Sequence, residues 1–288
     1  MNLEVIQRGA PPPAEIAELQ ASARLVETPC GEGTMVWRIW GEGDPLVLGH
    51  GAGGSWLHWI RNIPVLAERR TVIAADLPGH GDSALPASSD QPGLSQALAA
   101  GLDEILGPDG LPVDLAGFSF GGVAFAWLAK LHPRIARRVI LIGCGGLDTP
   151  HGAVDIERVS GLTGEARWQR LHDNLLGLML AHSETVDDVA LWQLLDGGHK
   201  ARLADTMQFV LPDRLLSALA DVACPVDAIW GELDRPHPVP AVQEAALRTV
   251  KPDAGFEVIE GAGHWAMFER PDAFNAALLE MLERPLTS

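Results

Sequence analysis

From Pro45 onward the hydrophobic positions fall into short runs that are apolar throughout, each followed by an amphipathic stretch. The runs are PLVLGH, TVIAADL, VDLAGFS, RRVILIG, PVDAIWG and FEVIEGA. A strand with one wet face alternates; a strand without alternation needs both faces covered, which points to a parallel sheet between helical layers. The stretches between, about SWLHWIRNIPVLAER, QALAAGLDEIL, GGVAFAWLAKL, PAVQEAALRTV and PDAFNAALLEML, carry the helical period that would supply those layers. Ahead of Pro45 the pattern differs. After Pro11–Pro13, AEIAELQASARL predicts a short surface helix. Alternating segments then predict two antiparallel strands, TMVWRIW being the clearer, with Gly41–Gly43 as the turn.

Between Gly146 and about Ala223 the rhythm breaks. No good strand is readable there, while RWQRLHDNLLGLMLAHS and VDDVALWQLLDGG read as helices. An interval of that length is too long for a simple connection and fits a lid over the carboxyl ends of the strands. The expected fold class is α/β: a mostly parallel central sheet flanked by helices, from residues 1–146 and 216–288. Residues 147–215 form the expected helical lid, inserted after the sixth strand.

Composition narrows the function. With 47% hydrophobic and 20% charged residues, the chain of 288 has material for a large core. Against 38 acidic residues stand 21 basic ones, and the net charge of −17 repels nucleic acid and anionic membranes. No apolar run reaches the roughly 18–20 residues that span a bilayer, and the first residues lack a secretory pattern. A cytoplasmic protein is expected, with a small-molecule substrate as partner, no nucleic acid, no membrane, and a homo-oligomer allowed. Cys30, Cys144 and Cys224 form no CxxC, which supports neither a disulfide framework nor a zinc ribbon. The absence of tyrosine removes phenol chemistry.

The chemistry concentrates at strand ends. Gly117-Phe118-Ser119-Phe120-Gly121 stands after one predicted strand and before a predicted helix. A sharp strand-to-helix turn would lift the Ser119 hydroxyl above the sheet, and the helix that follows would aim its N–H groups at developing negative charge. The competing reading is a serine that merely caps the helix. A serine nucleophile needs a base. His264, in GAGHWAMFE, follows the last predicted strand, and Asp234, in GELD, follows the one before it. Glu232 and Asp227 are the competing acids; Asp227 falls inside its strand and Glu232 comes early. The glycine-rich LVLGHGAGGSW lets the backbone approach a ligand, so the N–H groups of Ala52 and Phe120 are the expected oxyanion donors. His50, Gly51, Phe118 and Trp265 are candidates for lining the pocket.

Together, His50-Gly51, DLPGHGDS (Asp76 to Ser83), GFSFGG, GELD and GAGHW resemble the α/β-hydrolase superfamily, from about Met35 to the C-terminus with the lid interrupting. That resemblance implies a serine hydrolase with a Ser119–His264–Asp234 triad and no cofactor. A small apolar ester or similar acyl compound is the expected substrate. WIRNI (Trp59 to Ile63) and His264-Trp265-Ala266 further resemble the hydrolases that cleave carbon–carbon bonds in aromatic ring-fission products. That subgroup places Asn before the nucleophile, where this chain has Phe118. Its lid supplies an arginine for the substrate carboxylate, for which Arg167, Arg170 and Arg202 are the candidates here.

A rival comes from another class. Gly49 to Gly54 also satisfies G-x-G-x-x-G, and Asp76 stands where a dinucleotide fold keeps its ribose-binding acid, as in an NAD-dependent oxidoreductase. Pro64, inside the helix that would face the pyrophosphate, weighs against it. Metal binding by His50, His80 and His264 lacks the paired ligand spacing such sites use. Cys144 reads as a small buried residue rather than a nucleophile.

Overall fold

The structure, a computed structural model, describes residues 1–203 and 206–286. Residues 204 and 205 of the expected lid, and 287 and 288 of the expected core, lie outside the described residues. In chain order the elements begin with α1 (Ala14–Ser22), β1 (Arg24–Cys30), β2 (Gly33–Trp40), β3 (Asp44–Gly49), α2 (Ile63–Leu66), β4 (Arg70–Ala75) and α3 (Gln91–Leu106). Then come β5 (Val113–Phe118), α4 (Phe120–Leu131), β6 (Ala136–Ile142), α5 (Gly164–Leu178), α6 (Asp188–Lys200) and α7 (Arg214–Leu219). The chain closes with β7 (Val226–Gly231), α8 (Pro240–Arg248), β8 (Phe256–Ile259), α9 (Ala266–Glu269) and α10 (Pro271–Glu283).

The strands form one eight-stranded sheet in the order β1-β2-β4-β3-β5-β6-β7-β8. β2 pairs antiparallel with β1 and β4, and the other pairs are parallel. The apolar runs of β3 to β7 have the cause expected of them, whereas the last run, β8, lies at the sheet edge with Glu257 and Val258 exposed. Along β3, β5 and β6, Val47, Leu115, Val139 and Leu141 join a core with α3, α4 and α7. Their neighbours Leu46, Leu48, Ala116, Ile140 and Ile142 join a second core under α5, α6 and α10. Each face of the sheet has its own hydrophobic layer.

β3 lies between β4 and β5, so the sheet grows away from it in both directions. In such sheets the crevice for a ligand opens at the carboxyl ends of the strands beside this reversal.

Three elements depart from expectation. The first helix was expected to reach Leu25 but ends at Ser22, because Arg24 and Leu25 pair with Ile39 and Arg38 across β1 and β2. Gly41–Gly43 is not the turn of the antiparallel pair; that hairpin turns between Cys30 and Gly33, and β4 separates β2 from β3. The expected helix from Ser55 to Arg69 is broken into a 3₁₀ turn, Trp56–Trp59, and the four-residue α2. Pro64 has no N–H to continue a helix and sits instead in the first turn of α2.

The insertion follows the sixth strand and carries α5 and α6. Many contacts hold it to the sheet domain. Arg61 pairs with Asp187 just before α6, Lys200 reaches Asp82 at 3.0 Å, and Trp265 N–H donates to Met179 C=O at 2.7 Å. α6 also meets the glycine-rich loop after β3: a Cβ on Gly197 would lie 2.3 Å from the Gly53 carbonyl oxygen. The expected return to the core at residue 216 falls inside α7, whose Arg214 C=O accepts from Trp127 of α4 at 3.1 Å. Among the described residues no helix is long and apolar enough to cross a membrane.

Candidate active site

Ser119 joins β5 to α4 with φ 50° and ψ −115°. Positive φ is costly for a residue with a Cβ, and among the described non-glycine residues Ser119, Asp148 and Val239 adopt it. The flanking glycines explain how so sharp a turn fits. A Cβ at Gly117 would lie 2.4 Å from Gly122 Cα, and one at Gly121 would lie 2.6 Å from the Gly49 carbonyl carbon. The Ser119 hydroxyl makes no capping bond to α4. The helix-cap reading therefore fails.

Asp234 and His264 leave the carboxyl ends of β7 and β8 and are buried. His264 Nδ1 lies 2.8 Å from Asp234 Oδ2, while the His237 backbone N–H donates to Oδ1 at 2.8 Å. Burial alone would raise the Asp234 carboxyl, but His264 and the bonds from His237 and His264 outweigh it and hold the group well below the usual carboxylate range. An ionised Asp234 can only accept, so Nδ1–H of His264 donates to it, and in the neutral tautomer this bond selects the lone pair sits on Nε2. The competing acids are occupied elsewhere. Asp227 binds Arg284 and the Gly255 N–H inside β7, and Glu232 accepts from Gly261.

Ser119 and His264 line one cavity of about 280 Å³, together with Gly51, Ala52, Phe118 and Phe120. Phe120 is the first residue of α4, so its N–H is among those a helix start leaves unpaired. The insertion supplies an apolar wall that includes Leu178, Met179, Met207 and Val210. Two expected pocket residues do not line the cavity. Trp265 is fully buried, stacked on Phe268 at 4.0 Å, with Nε1–H donating to His58 C=O at 2.8 Å. His50 is fully buried too. Its Nε2 accepts from Leu77 N–H at 2.9 Å, which leaves Nδ1–H to donate to Gly51 C=O at 2.7 Å. Because a peptide is planar and trans, fixing that carbonyl also fixes the direction of the Ala52 N–H.

Three contributors escaped the sequence reading. His58 and His237 line the cavity. Glu269 is buried and accepts from the N–H groups of Gly263 at 2.6 Å, Ala181 at 2.9 Å and His182 at 2.8 Å. It ties the loop that carries His264 to the insertion. The nearest signal was a glutamate five residues after His264 in GAGHWAMFE.

Asp234, His237 and His264 also bring three donor atoms within 4.8 Å of one another. Of these side chains, His264 already spends Nδ1 on Asp234, whereas His237 Nδ1 has no hydrogen-bond partner among the described residues and reaches the carboxylate only at 3.5 Å. Cys144 is buried, and burial pushes its thiol far up, which fits the small buried residue read from the sequence. The dinucleotide reading loses its parts as well. A 3₁₀ turn, not a helix, follows the glycine loop. Asp76 is buried, accepting from Arg38 at 2.9 Å and from Trp56 N–H at 2.9 Å.

The buried imidazoles make a prediction about acid. Burial pushes His50 down to about 4 and His80 down to about 3. Burial, then His50, His264 and His80, put His58 well below the ordinary value. In the unfolded chain each takes up a proton near pH ~6.5. Between that pH and the folded values the unfolded state binds more protons, so stability is complete above ~6.5 and is lost as pH falls toward 4. Each group contributes a slope of up to ~1.4 kcal/mol per pH unit. Denaturant midpoints should fall steadily from pH 7 to 4.5; a flat profile would show that these rings are not held neutral.

The sequence model of the alpha/beta hydrolase family matches residues 46–277. The chain is 31% identical over 262 residues to a 2-hydroxy-6-oxo-6-phenylhexa-2,4-dienoate hydrolase of Burkholderia cepacia, covering 84% of this chain and 88% of that one. It is 30% identical over 249 residues to a dihydrolipoyllysine-residue acetyltransferase component of an acetoin cleaving system of Pseudomonas putida; 84% of this chain spans 64% of that protein's length. An esterase structure from Rhodococcus sp. superposes with a TM-score of 0.72 at 22% identity, over 91% of this chain and 98% of that one. The fold and the match over most of its length place this chain in the alpha/beta hydrolase family.

Proposed function

We propose that the protein is a serine hydrolase that needs no cofactor and acts on a small apolar carboxylic ester or similar acyl compound. One observation carries the reading: a serine at positive φ, whose hydroxyl caps no helix, shares a cavity with a histidine bonded to a buried carboxylate at 2.8 Å. Ser119 Oγ gives its proton to His264 Nε2 as it attacks the carbonyl carbon. The N–H groups of Ala52 and Phe120 receive the oxyanion, each worth about 3 kcal/mol of barrier. Asp234 stabilises the imidazolium, which protonates the departing alcohol. Water, deprotonated by the same imidazole, then attacks the acyl-enzyme and releases the acid. The insertion acts as a lid whose apolar wall selects the acyl group.

The dienoate hydrolase among the relatives favours a second reading, carbon–carbon bond hydrolysis of a ring-fission product. Two features put it behind the ester. Phe118 precedes the nucleophile, and neither Arg167, Arg170 nor Arg202 lines the cavity. Arg202 is instead held by Gly81 C=O at 3.1 Å, and Arg170 pairs with Glu157. Among the described residues no lysine or arginine lines the cavity, so a dienoate carboxylate would enter it at a steep desolvation cost.

Fluorophosphonate labelling with peptide mapping tests the class: modification is expected at Ser119, and an unlabelled Ser119 in folded protein defeats the proposal. Comparing kcat/KM on short p-nitrophenyl esters and on a ring-fission dienoate decides between the two substrates.

A further inference from the structure

His58 is a buried imidazole in the wall of the cavity, outside the residues assigned to the reaction. Its Nδ1 accepts the Gly51 backbone N–H at 3.1 Å. Gly51 is thus gripped from both sides: its carbonyl by His50, its N–H by His58. The next N–H along the chain belongs to Ala52, a proposed oxyanion donor. His58 also reaches the other half of the site, because its own carbonyl accepts from Trp265 Nε1–H, one residue beyond His264. Its ring packs edge-on against Phe118 at 5.2 Å and Trp265 at 5.0 Å.

We propose that His58 is a positioning residue that holds the Gly51–Ala52 segment at the distance from Ser119 and His264 that the oxyanion needs, through the Nδ1 lone pair. The role rests on the serine-hydrolase reading. Three features of the fold suit it. The 3₁₀ turn that carries His58 back toward Gly51 is started by Ser55, whose hydroxyl accepts from Leu57 N–H. Gly54 leaves room for the ring: a Cβ there would lie 2.1 Å from His58 Cε1. The ring also stays neutral, since burial and the neighbouring His50, His264 and His80 keep its proton affinity low. A protonated ring would turn a donor toward the Gly51 N–H and break the strut.

The side-chain oxygen of asparagine can occupy the place of Nδ1, whereas that of glutamine falls near Nε2 and leucine has none. His58→Asn, His58→Gln and His58→Leu therefore isolate the lone pair. His58→Asn is expected to keep kcat close to the wild-type value. His58→Gln and His58→Leu should lose about 100-fold in kcat, the scale of one misplaced oxyanion donor, with KM little changed. Thermal unfolding checks that each variant is folded, and if His58→Leu is not, the asparagine–glutamine pair still decides. Equal kcat in all three variants, or an equal loss in all three, overturns the role. Fluorophosphonate labelling of the wild type separates the two levels. An unlabelled Ser119 removes the hydrolase reading and this role with it, whereas a labelled, active wild type with variants that do not differ removes the role alone.

Discussion

Ser119→Ala is expected to lower kcat at least about 1000-fold on a short p-nitrophenyl ester, with Tm almost unchanged. The hydroxyl caps no helix, so its loss leaves the fold's hydrogen bonds in place. Alanine also inherits the backbone strain at φ 50°, because that strain comes from the Cβ and not from the oxygen. Ser119→Gly separates the two contributions. It too should be inactive, but it removes about 1–3 kcal/mol of backbone strain against about 0.5–1 kcal/mol of added unfolded-state entropy. The net gain of about 1 kcal/mol should raise Tm by ~2–4 °C. Calorimetry on both variants beside the activity assay checks the pair. Full activity in Ser119→Ala would end the nucleophile assignment. A Tm lowered by the full entropy cost of glycine would mean that the elbow stores no strain, and an unchanged Tm would cap the strain at about 1 kcal/mol.

The parallel strands β3 to β7 were readable because each apolar run reports burial on both faces, and that burial is a local property of the run; β8, at the other edge, was read from the same pattern although Glu257 and Val258 are exposed. β1 was not readable in the same way. As an edge strand it buries little besides Thr28 and Cys30, so its sequence RLVETPC carries no strong pattern. The broken helix after the glycine loop hides for another reason. Ser55 to Arg69 has helical periodicity, but Asn62 is pulled aside by bonds to Met267 C=O and Asn275, both at 2.9 Å, and Pro64 restarts the turn. The proposed catalytic residues stood out because each closes a strand and sits in a recognisable local motif. His58, His237 and Glu269 depend on contacts that sequence spacing does not encode. Glu269, for instance, meets Ala181 across 88 positions of chain. His50 and Trp265 show the converse. Adjacency to a motif placed them near the site, but not which side of the loop their rings would take.

Asp234→Asn tests the proposed triad more sharply than deletion of the side chain. The carboxylate accepts at both oxygens, from His264 Nδ1–H and from the His237 backbone N–H. An amide has one accepting end and one donating end, so it can satisfy only one of these donors. If its NH₂ faces the His237 N–H, two buried donors oppose each other at a cost of about 1–3 kcal/mol. If it faces His264, the imidazole escapes the conflict by moving its proton to Nε2. A peptide N–H has no such freedom, so the second orientation wins. The imidazole then presents a proton to Ser119 where it needs a lone pair, and the charge that stabilised the imidazolium is gone. The expected loss is about 10⁴-fold in kcat, with slowed fluorophosphonate labelling and a small change in Tm. Two other acids serve as controls. Glu232→Gln should retain kcat, since Glu232 is exposed and its carboxylate accepts from Gly261 N–H, away from His264. Asp227→Asn should retain kcat but lower Tm, because Asp227 holds Arg284 and the Gly255 N–H near the opposite end of β7. If Glu232→Gln is the variant that loses turnover while Asp234→Asn keeps it, the acid of the triad has been misassigned, and the 2.8 Å contact with His264 is structural.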